Sequence, residues 1–116
     1  MSIGSYGELG ADVDRQGGVG VYPMGVLRDL EGAGKLGKYI RDKITNHLAD
    51  VGLGHLPVDL PWYQENQVRV FRRSSPAGRA VQAVQNPTAS GDDFLRSIND
   101  DSARQRLEDI KRILGA

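Results

Sequence analysis

The sequence contains no cysteine among its 116 residues. Disulfide bonds, thiolate metal sites and a cysteine nucleophile are therefore excluded, and the composition suits a reducing compartment. The chain also lacks a net charge, because fifteen Lys and Arg residues balance fifteen Asp and Glu residues. No apolar run approaches the roughly 20 residues needed to span a bilayer, and the N-terminus lacks the apolar core of a signal peptide. We therefore expect a soluble cytoplasmic protein with no membrane partner.

A net charge of zero removes the simplest argument for nucleic-acid binding, which is a domain that is basic overall. The charge is nevertheless uneven along the chain. Residues 25–83 contain nine basic and six acidic side chains, whereas residues 1–24 and 84–116 are acidic by two and by one. The length fits one domain with a single core of moderate depth. Any basic surface is therefore expected in the middle segment.

The first twenty residues hold six of the fifteen glycines and show no sustained apolar periodicity. Such a segment loses much backbone entropy on ordering and buries little surface in return. We therefore predict a flexible glycine-rich arm over residues 1–20, with a short edge strand near Val19–Tyr22. An arm that becomes ordered on a partner is the alternative interpretation.

Residues 21–86 are predicted to form a core of two helices, a hairpin and a third helix. Pro23 suits the first turn of a helix, and the strongest periodicity of the sequence follows over residues 35–51. Gly52 is placed to end this second helix. Its apolar residues recur at steps of three and four and form one stripe, which consists of Leu36, Ile40, Ile44, Leu48 and Val51.

A hairpin is predicted after the second helix. Pro57 and Pro61 exclude a helix there, and the alternation of polar and apolar residues from Gln67 to Arg72 predicts a strand. Together the two segments indicate a β-hairpin that is bent by its prolines. Residues 77–85 then predict a short helix whose inward-facing side chains are Ala80, Val81 and Val84.

Residues 90–116 are predicted to form a helical tail that begins at Ser90 or Asp92 as N-cap. The segment "NDDS" at residues 99–102 predicts a break, so the tail is either two short helices or one long bent helix. Three apolar residues approximate, with Ala103, the seam of a coiled coil: Leu107, Ile110 and Leu114. Such a helix is expected either to pack back on the domain or to dimerise.

The predicted fold class is α+β, in a small helix-rich domain. In element order, residues 23–85 are similar to a winged-helix domain, in which helices precede a hairpin. This similarity implies that the helix at residues 35–51 contacts nucleic acid and that the hairpin at residues 56–73 is the wing. Two helices, rather than the usual three, are predicted before the hairpin, and Asp42 interrupts the basic face of the longer one.

The sequence carries no strong signature of catalysis or of a cofactor. The segment "EGAGKLG" at residues 31–37 fails the phosphate-loop pattern, because Asp29 stands where glycine is required and Leu36 where Ser or Thr is required. His47 and His55 are eight residues apart, which matches no common zinc spacing. No nucleophile, base and orienting group can be assigned. We therefore expect no enzymatic activity, no cofactor and no metal.

The basic residues of the middle segment favour nucleic-acid binding. Four arginines follow one another along the predicted strand, its turn and the next helix: Arg69, Arg72, Arg73 and Arg79. The polar face of the helix at residues 35–51 adds groups that contact a phosphate backbone or a base edge, namely Lys38, Arg41, Thr45 and Asn46. Trp62 and Tyr63, at the hairpin tip, suit stacking on a base. We therefore predict a regulatory nucleic-acid-binding domain, most simply a DNA-binding one.

The alternative function is a protein-interaction or adaptor module. In that interpretation Trp62, Tyr63 and the tail contact a protein partner or a second copy, and the arginines only solvate the surface. A third interpretation is an accessory subunit whose site a partner completes. Salt dependence separates the first two, because phosphate binding weakens steeply with salt whereas an apolar interface does not.

Overall fold

A computed structural model describes residues 3–115, apart from the side chains of residues 101–103 and 106. The chain divides into two compact units, Met1–Arg79 and Ala80–Ala116. The elements in chain order are α1 (Tyr6–Arg15), β1 (Val19–Pro23), α2 (Met24–Leu30), α3 (Lys38–Asp50), β2 (Leu53–Leu56), β3 (Gln67–Arg72), α4 (Pro76–Gln85) and α5 (Ala89–Gly115). Within the described residues no helix has the length and the apolar content that crossing a membrane requires.

Helix α1 replaces the flexible arm that the sequence predicts for residues 1–20, so that prediction is wrong. Ser5 is its N-cap, and the Ser5 hydroxyl accepts a hydrogen bond from the backbone N–H of Glu8 at 3.1 Å. Leu9 and Val13 are completely buried in the core. The free energy gained by burying these two apolar side chains offsets part of the backbone entropy that the glycines lose on folding.

The three strands form an antiparallel sheet in the order β1-β3-β2. The predicted edge strand near Val19 and the predicted strand from Gln67 to Arg72 are both confirmed. Strand β3 is central, and its alternation places Val68 and Val70 in the core. The hairpin is formed by β2 and β3, and β2 ends at Leu56, directly before the first proline.

Helix α3 confirms the predicted stripe. Leu36, Ile44 and Leu48 are buried, and the remaining members of the stripe are partly buried against the same core. The helix begins at Lys38, later than predicted, because Gly37 is its N-cap. It ends before Gly52, whose φ of +76° lies in the left-handed region that glycine adopts without strain.

The first unit is an α+β domain, as the sequence predicts. Its element order, α1-β1-α2-α3-β2-β3, places three helices before the hairpin. The sequence predicts only two, because α1 lies in the glycine-rich segment, which shows no sustained apolar periodicity. With α1 counted, the order of elements is compatible with a winged-helix arrangement.

The second unit contains the single helix α5, so of the two predicted alternatives the tail has one long helix rather than two short ones, and residues 99–102 do not interrupt it. The helix begins one residue before the predicted cap, and Thr88 accepts a hydrogen bond from the backbone N–H of Gly91 at 2.9 Å.

Helix α4 also departs from its predicted pattern. Ala83 is buried, whereas Val84, which was expected to face inwards, is exposed.

A buried carboxylate joins three helices of the first unit. The side chain of Glu31, directly after α2, is 2 % exposed. It accepts a hydrogen bond from the Tyr6 hydroxyl of α1 at 2.6 Å, and its Oε2 lies 2.6 Å from Nδ1 of His47 on α3. Lys43 of α3 is 3.7 Å from its other oxygen. The carboxylate is therefore compensated from several sides, as a buried charge must be.

The environment of Glu31 changes its protonation. Burial alone would raise the pKa of Glu31, but the hydrogen bonds from Tyr6 and His47 and the nearby cations outweigh burial, so the pKa lies below its ordinary value. Burial and the Glu31 carboxylate together raise the pKa of the Tyr6 hydroxyl. The network is therefore most stable with Glu31 ionised and Tyr6 protonated.

We expect the free energy of unfolding to decrease as the pH falls below about 4.3, the ordinary pKa of a glutamate. A lowered folded-state pKa contributes stability above the unfolded pKa, and this stability is lost as the pH falls through the folded value. Urea denaturation at about pH 7 and about pH 3 measures the difference. Asp12 and Asp14, whose pKa values hydrogen bonds also lower, act in the same pH range.

The variant Glu31→Gln isolates the contribution of the network, since the amide keeps an acceptor for Tyr6 but does not titrate. Its stability should vary less with pH than that of the wild type. Glu65→Gln removes an exposed carboxyl and serves as the control. An equal pH dependence in Glu31→Gln and the wild type would contradict this role.

Candidate nucleic-acid interface

The loop between β2 and β3, residues 57–66, is here called the wing loop. The guanidinium of Arg41 holds it against α3: Nε donates to the Leu36 carbonyl at 3.1 Å and Nη1 to the Leu60 carbonyl at 3.3 Å. The Leu60 side chain is buried in the core. On its other side the loop accepts a backbone hydrogen bond from Gly25 at the start of α2, through the Gln64 carbonyl at 2.9 Å. The wing loop therefore has a fixed position beside α3.

A groove of about 330 Å³ lies between α3 and the wing loop and is here called the helix–wing groove. It is lined by Lys38, Arg41, Asp42, Thr45, Val58, Asp59, Leu60 and Trp62. Three predicted nucleic-acid contacts of α3 thus meet the predicted stacking residue Trp62 in one place. The guanidinium carbon of Arg41 is 4.3 Å from the centre of the Trp62 ring, which is a cation–π contact.

The helix–wing groove is nearly neutral. Its cations are Lys38 and Arg41, and its anions are Asp42 and Asp59. Lys38 forms an ion pair with Asp42 at 2.9 Å, one helical turn further on, and both side chains are largely exposed. Such an exposed pair is weak, so a phosphate can compete for the Lys38 ammonium. Asp42 also interrupts the basic face of α3, as the sequence indicates.

Thr45 is oriented by His55 of β2. The His55 Nδ1 lies 2.8 Å from the Pro57 carbonyl, which can only accept, so this nitrogen carries a proton. The Thr45 hydroxyl lies 2.8 Å from the His55 Nε2 and also donates to the Arg41 carbonyl at 3.3 Å. His55 thus contacts Thr45 and the wing loop, whereas His47 contacts Glu31. Each of the two histidines has its own partners.

Arg72, predicted to contact phosphate, is engaged inside the domain. Its Nε and Nη2 donate to the two carboxylate oxygens of Asp14 at 2.9 and 3.0 Å. Nη1 donates to the Val51 carbonyl at 2.6 Å and Nη2 to the Gly10 carbonyl at 3.2 Å. A Cβ at Gly10 would lie 2.8 Å from Nη2, so the bare backbone lets α1 approach. Arg72 therefore fastens α1 to β3 and to the end of α3.

The other arginines of this stretch do not line the helix–wing groove. Arg69 is exposed on the face of β3 opposite to the core, between Val21 and Leu56 of the neighbouring strands. Arg73 and Arg79 are exposed beyond the end of β3, and the backbone N–H of Arg73 bonds to Gly52, after the C-terminus of α3. On α3 the groove is lined by residues between Lys38 and Thr45, and the middle of this stretch lies roughly 13 Å from the C-terminal end of the helix along its axis.

Two further predicted residues lie near the groove but not in its lining. Asn46 is exposed on α3, directly after Thr45. Tyr63 is 67 % exposed and follows Trp62 in the wing loop. Sequence reasoning missed Val58, Asp59 and Leu60, because only the folded position of the wing loop brings these residues to α3.

Comparison of the chain with protein-family models, with curated proteins and with solved structures gives no match.

We expect Arg72→Ala to lower the free energy of unfolding by about 1–3 kcal/mol, because it removes the donor of four hydrogen bonds, two to the Asp14 carboxylate and two to backbone carbonyls. Arg69→Ala removes an exposed side chain of the same strand, from the face opposite to the core, and should cost less than about 0.5 kcal/mol. Urea denaturation of the two variants, monitored by circular dichroism, makes the comparison. Equal losses would show that Arg72 has no special structural role.

Proposed function

We propose that this protein is a cytoplasmic, non-enzymatic and regulatory nucleic-acid-binding module that uses the helix–wing groove. The observation that carries the proposal is the meeting of Lys38, Arg41, Thr45 and Trp62 in one groove. These residues supply the cations, the hydroxyl and the aromatic ring that backbone and base contacts require. DNA is the first target to test.

The order of elements supports this use of the groove. In a winged-helix domain the helix before the hairpin contacts DNA, and the wing lies beside it. Helix α3 and the wing loop have the corresponding places in this chain. This support is an analogy of fold, so the chemistry of the groove has to carry the function.

The charges of the groove set its expected salt dependence. When the logarithm of the binding constant is plotted against the logarithm of the salt concentration, each neutralised phosphate of duplex DNA contributes about −0.9 to the slope. With Lys38 and Arg41 as the available cations, we expect a slope of about −2 or smaller in size. This is shallower than the slope of a strongly basic domain, so base stacking and polar contacts must supply the rest of the affinity.

Two substitutions in one ion pair test the proposal, since one removes its positive charge and the other its negative charge. Lys38→Gln should weaken binding to a fluorescein-labelled duplex of mixed sequence about fivefold at low salt and reduce the salt slope by about one. Asp42→Asn should strengthen binding, because it releases the Lys38 ammonium from its ion pair and removes a negative charge that repels phosphate. Fluorescence anisotropy at about 50 and about 200 mM salt measures both effects.

Arg69→Gln is the matched control, because it removes one cation from the opposite face of the sheet. Its affinity should equal that of the wild type. Equal effects of Lys38→Gln and Arg69→Gln would place binding elsewhere. No anisotropy change at micromolar protein with duplex or single-stranded DNA would contradict the proposed function.

A second candidate function is protein binding through α5, which rests on the exposure of its apolar seam. Leu107, Ile110 and Leu114 are 51, 53 and 81 % exposed. In the heptad that has these residues at its a and d positions, Lys111 flanks the seam, while Glu108 and Asp109 lie on the far side of the helix. Two copies would bring basic flanks together, so charge complementarity favours a partner helix with acidic flanks.

Sedimentation velocity tests this candidate. The protein alone is expected to remain monomeric at concentrations up to about 100 µM, above the range of a specific dimer. A designed leucine-heptad peptide with Glu at its e and g positions should bind it, and Ile110→Asp should abolish binding. Self-association that Ile110→Asp removes would instead assign the seam to a homodimer.

A further inference from the structure

Trp62 separates two grooves. The guanidinium of Arg41 lies over its ring and lines the helix–wing groove. A second groove, here called the turn–wing groove, has Trp62 but not Arg41 in its lining. The Trp62 side chain is 68 % exposed. One ring face is therefore covered by a cation, while much of the ring remains exposed and forms part of the wall of the turn–wing groove.

The turn–wing groove combines aromatic, cationic and hydrogen-bonding groups. It has a volume of about 340 Å³ and is lined by Arg28, Gly34, Lys35, Leu36, Trp62, Tyr63, Gln64 and Glu65. Lys35 is exposed and can reach a phosphate. The Gln64 side chain is positioned by a hydrogen bond from Arg28, and the adjacent Glu65 carboxylate can accept hydrogen bonds. The volume is at the lower end of the range of small-ligand sites, about 300–1,000 Å³.

Gly34 is a glycine that the fold does not require. Its φ is not in the left-handed region, unlike that of Gly32 in the same turn, which is +64°. A Cβ built at Gly34 would meet no atom within 4 Å. A side chain at this position would therefore project into the groove without disturbing the domain. The bare backbone at Gly34 keeps this wall of the groove low.

We propose that the turn–wing groove binds one unpaired base of a nucleic-acid strand, stacked on the exposed ring of Trp62. The inference rests on the proposed function and deepens it, because it names the strand state that the protein prefers. Lys35 contacts the phosphate of the bound nucleotide. Gln64 and Glu65 offer an amide donor and a carboxylate acceptor to the edge of the base.

An unpaired base is required for a physical reason. In a duplex both faces of every internal base are stacked on neighbours, so an aromatic side chain can stack only on a base that has left the helix or lies in a single-stranded segment. The helix–wing groove and the turn–wing groove share Trp62 as a wall. A duplex at α3 and a single-stranded extension in the turn–wing groove can therefore be bound side by side.

The test compares a blunt duplex with the same duplex carrying a short single-stranded overhang. Because the chain contains one tryptophan, emission excited at wavelengths that its four tyrosines do not absorb reports on Trp62 alone. We expect the overhang to increase affinity on the order of tenfold and to quench the Trp62 emission, since stacking of one base has about that effect. Trp62→Ala should lose the tenfold preference, and Trp62→Phe should retain part of it.

A pair of glycine variants separates the groove from the stability of the domain. Gly34→Val places a side chain in the turn–wing groove and should abolish the preference for the overhang. Gly37→Val is the matched control, because its surroundings are equally open but it does not line the groove. Gly34→Val should keep the urea midpoint of the wild type, whereas Gly37→Val replaces the N-cap of α3 and should lower the midpoint slightly. Only Gly34→Val should change binding.

The outcomes distinguish this inference from the proposed function. Binding of both probes with equal affinity, unchanged in Gly34→Val, would overturn the inference alone. Binding of neither probe would overturn both. A free mononucleotide such as AMP that quenches Trp62 at lower concentration than the overhang would show a small-molecule site rather than a strand site.

Discussion

The guanidinium of Arg72 is the interaction on which the arrangement of the first unit depends. It ends the central strand and binds both Asp14 on α1 and the Val51 carbonyl at the end of α3. With α1 fastened in this way, the Tyr6 hydroxyl reaches the buried carboxylate of Glu31. That carboxylate is also bonded to α3. The position of α3 is thus determined at both its C-terminal end and its middle, in addition to its apolar stripe.

The groove that results is preformed, and this shapes the chemistry available to it. Arg41 donates to two backbone carbonyls and lies over Trp62, so it contributes a fixed positive charge and a rigid wall. Lys38 is the more exposed cation, and it is paired with Asp42. With so few available charges, the binding that we propose for this surface depends on shape and stacking as much as on attraction to phosphate.

Periodic segments could be predicted from the sequence, and contacts between distant segments could not. The stripe of α3 and the alternation of β3 follow from local spacing, and the same spacing places Lys38, Arg41 and Thr45 on one face. Helix α1 could not be predicted, because in the sequence Gly10 indicates a flexible segment. Only the folded chain shows that a Cβ at this position would lie too close to the Arg72 guanidinium. The arginines after Gln67 look alike in sequence, yet their partners differ. The approach of Trp62 to α3 depends on the whole path of the wing loop.

The turn between α2 and α3 shows how a glycine can be interpreted once its surroundings are known. Gly32 is required by its backbone conformation, and Gly10 by the close approach of a guanidinium. Gly34 satisfies neither requirement, although it lies on the wall of a groove beside an exposed tryptophan ring. A residue whose choice the folded chain does not explain is a natural place to look for a ligand. The flat, exposed ring of Trp62 is the reason why we propose a flat ligand, a base, for this groove.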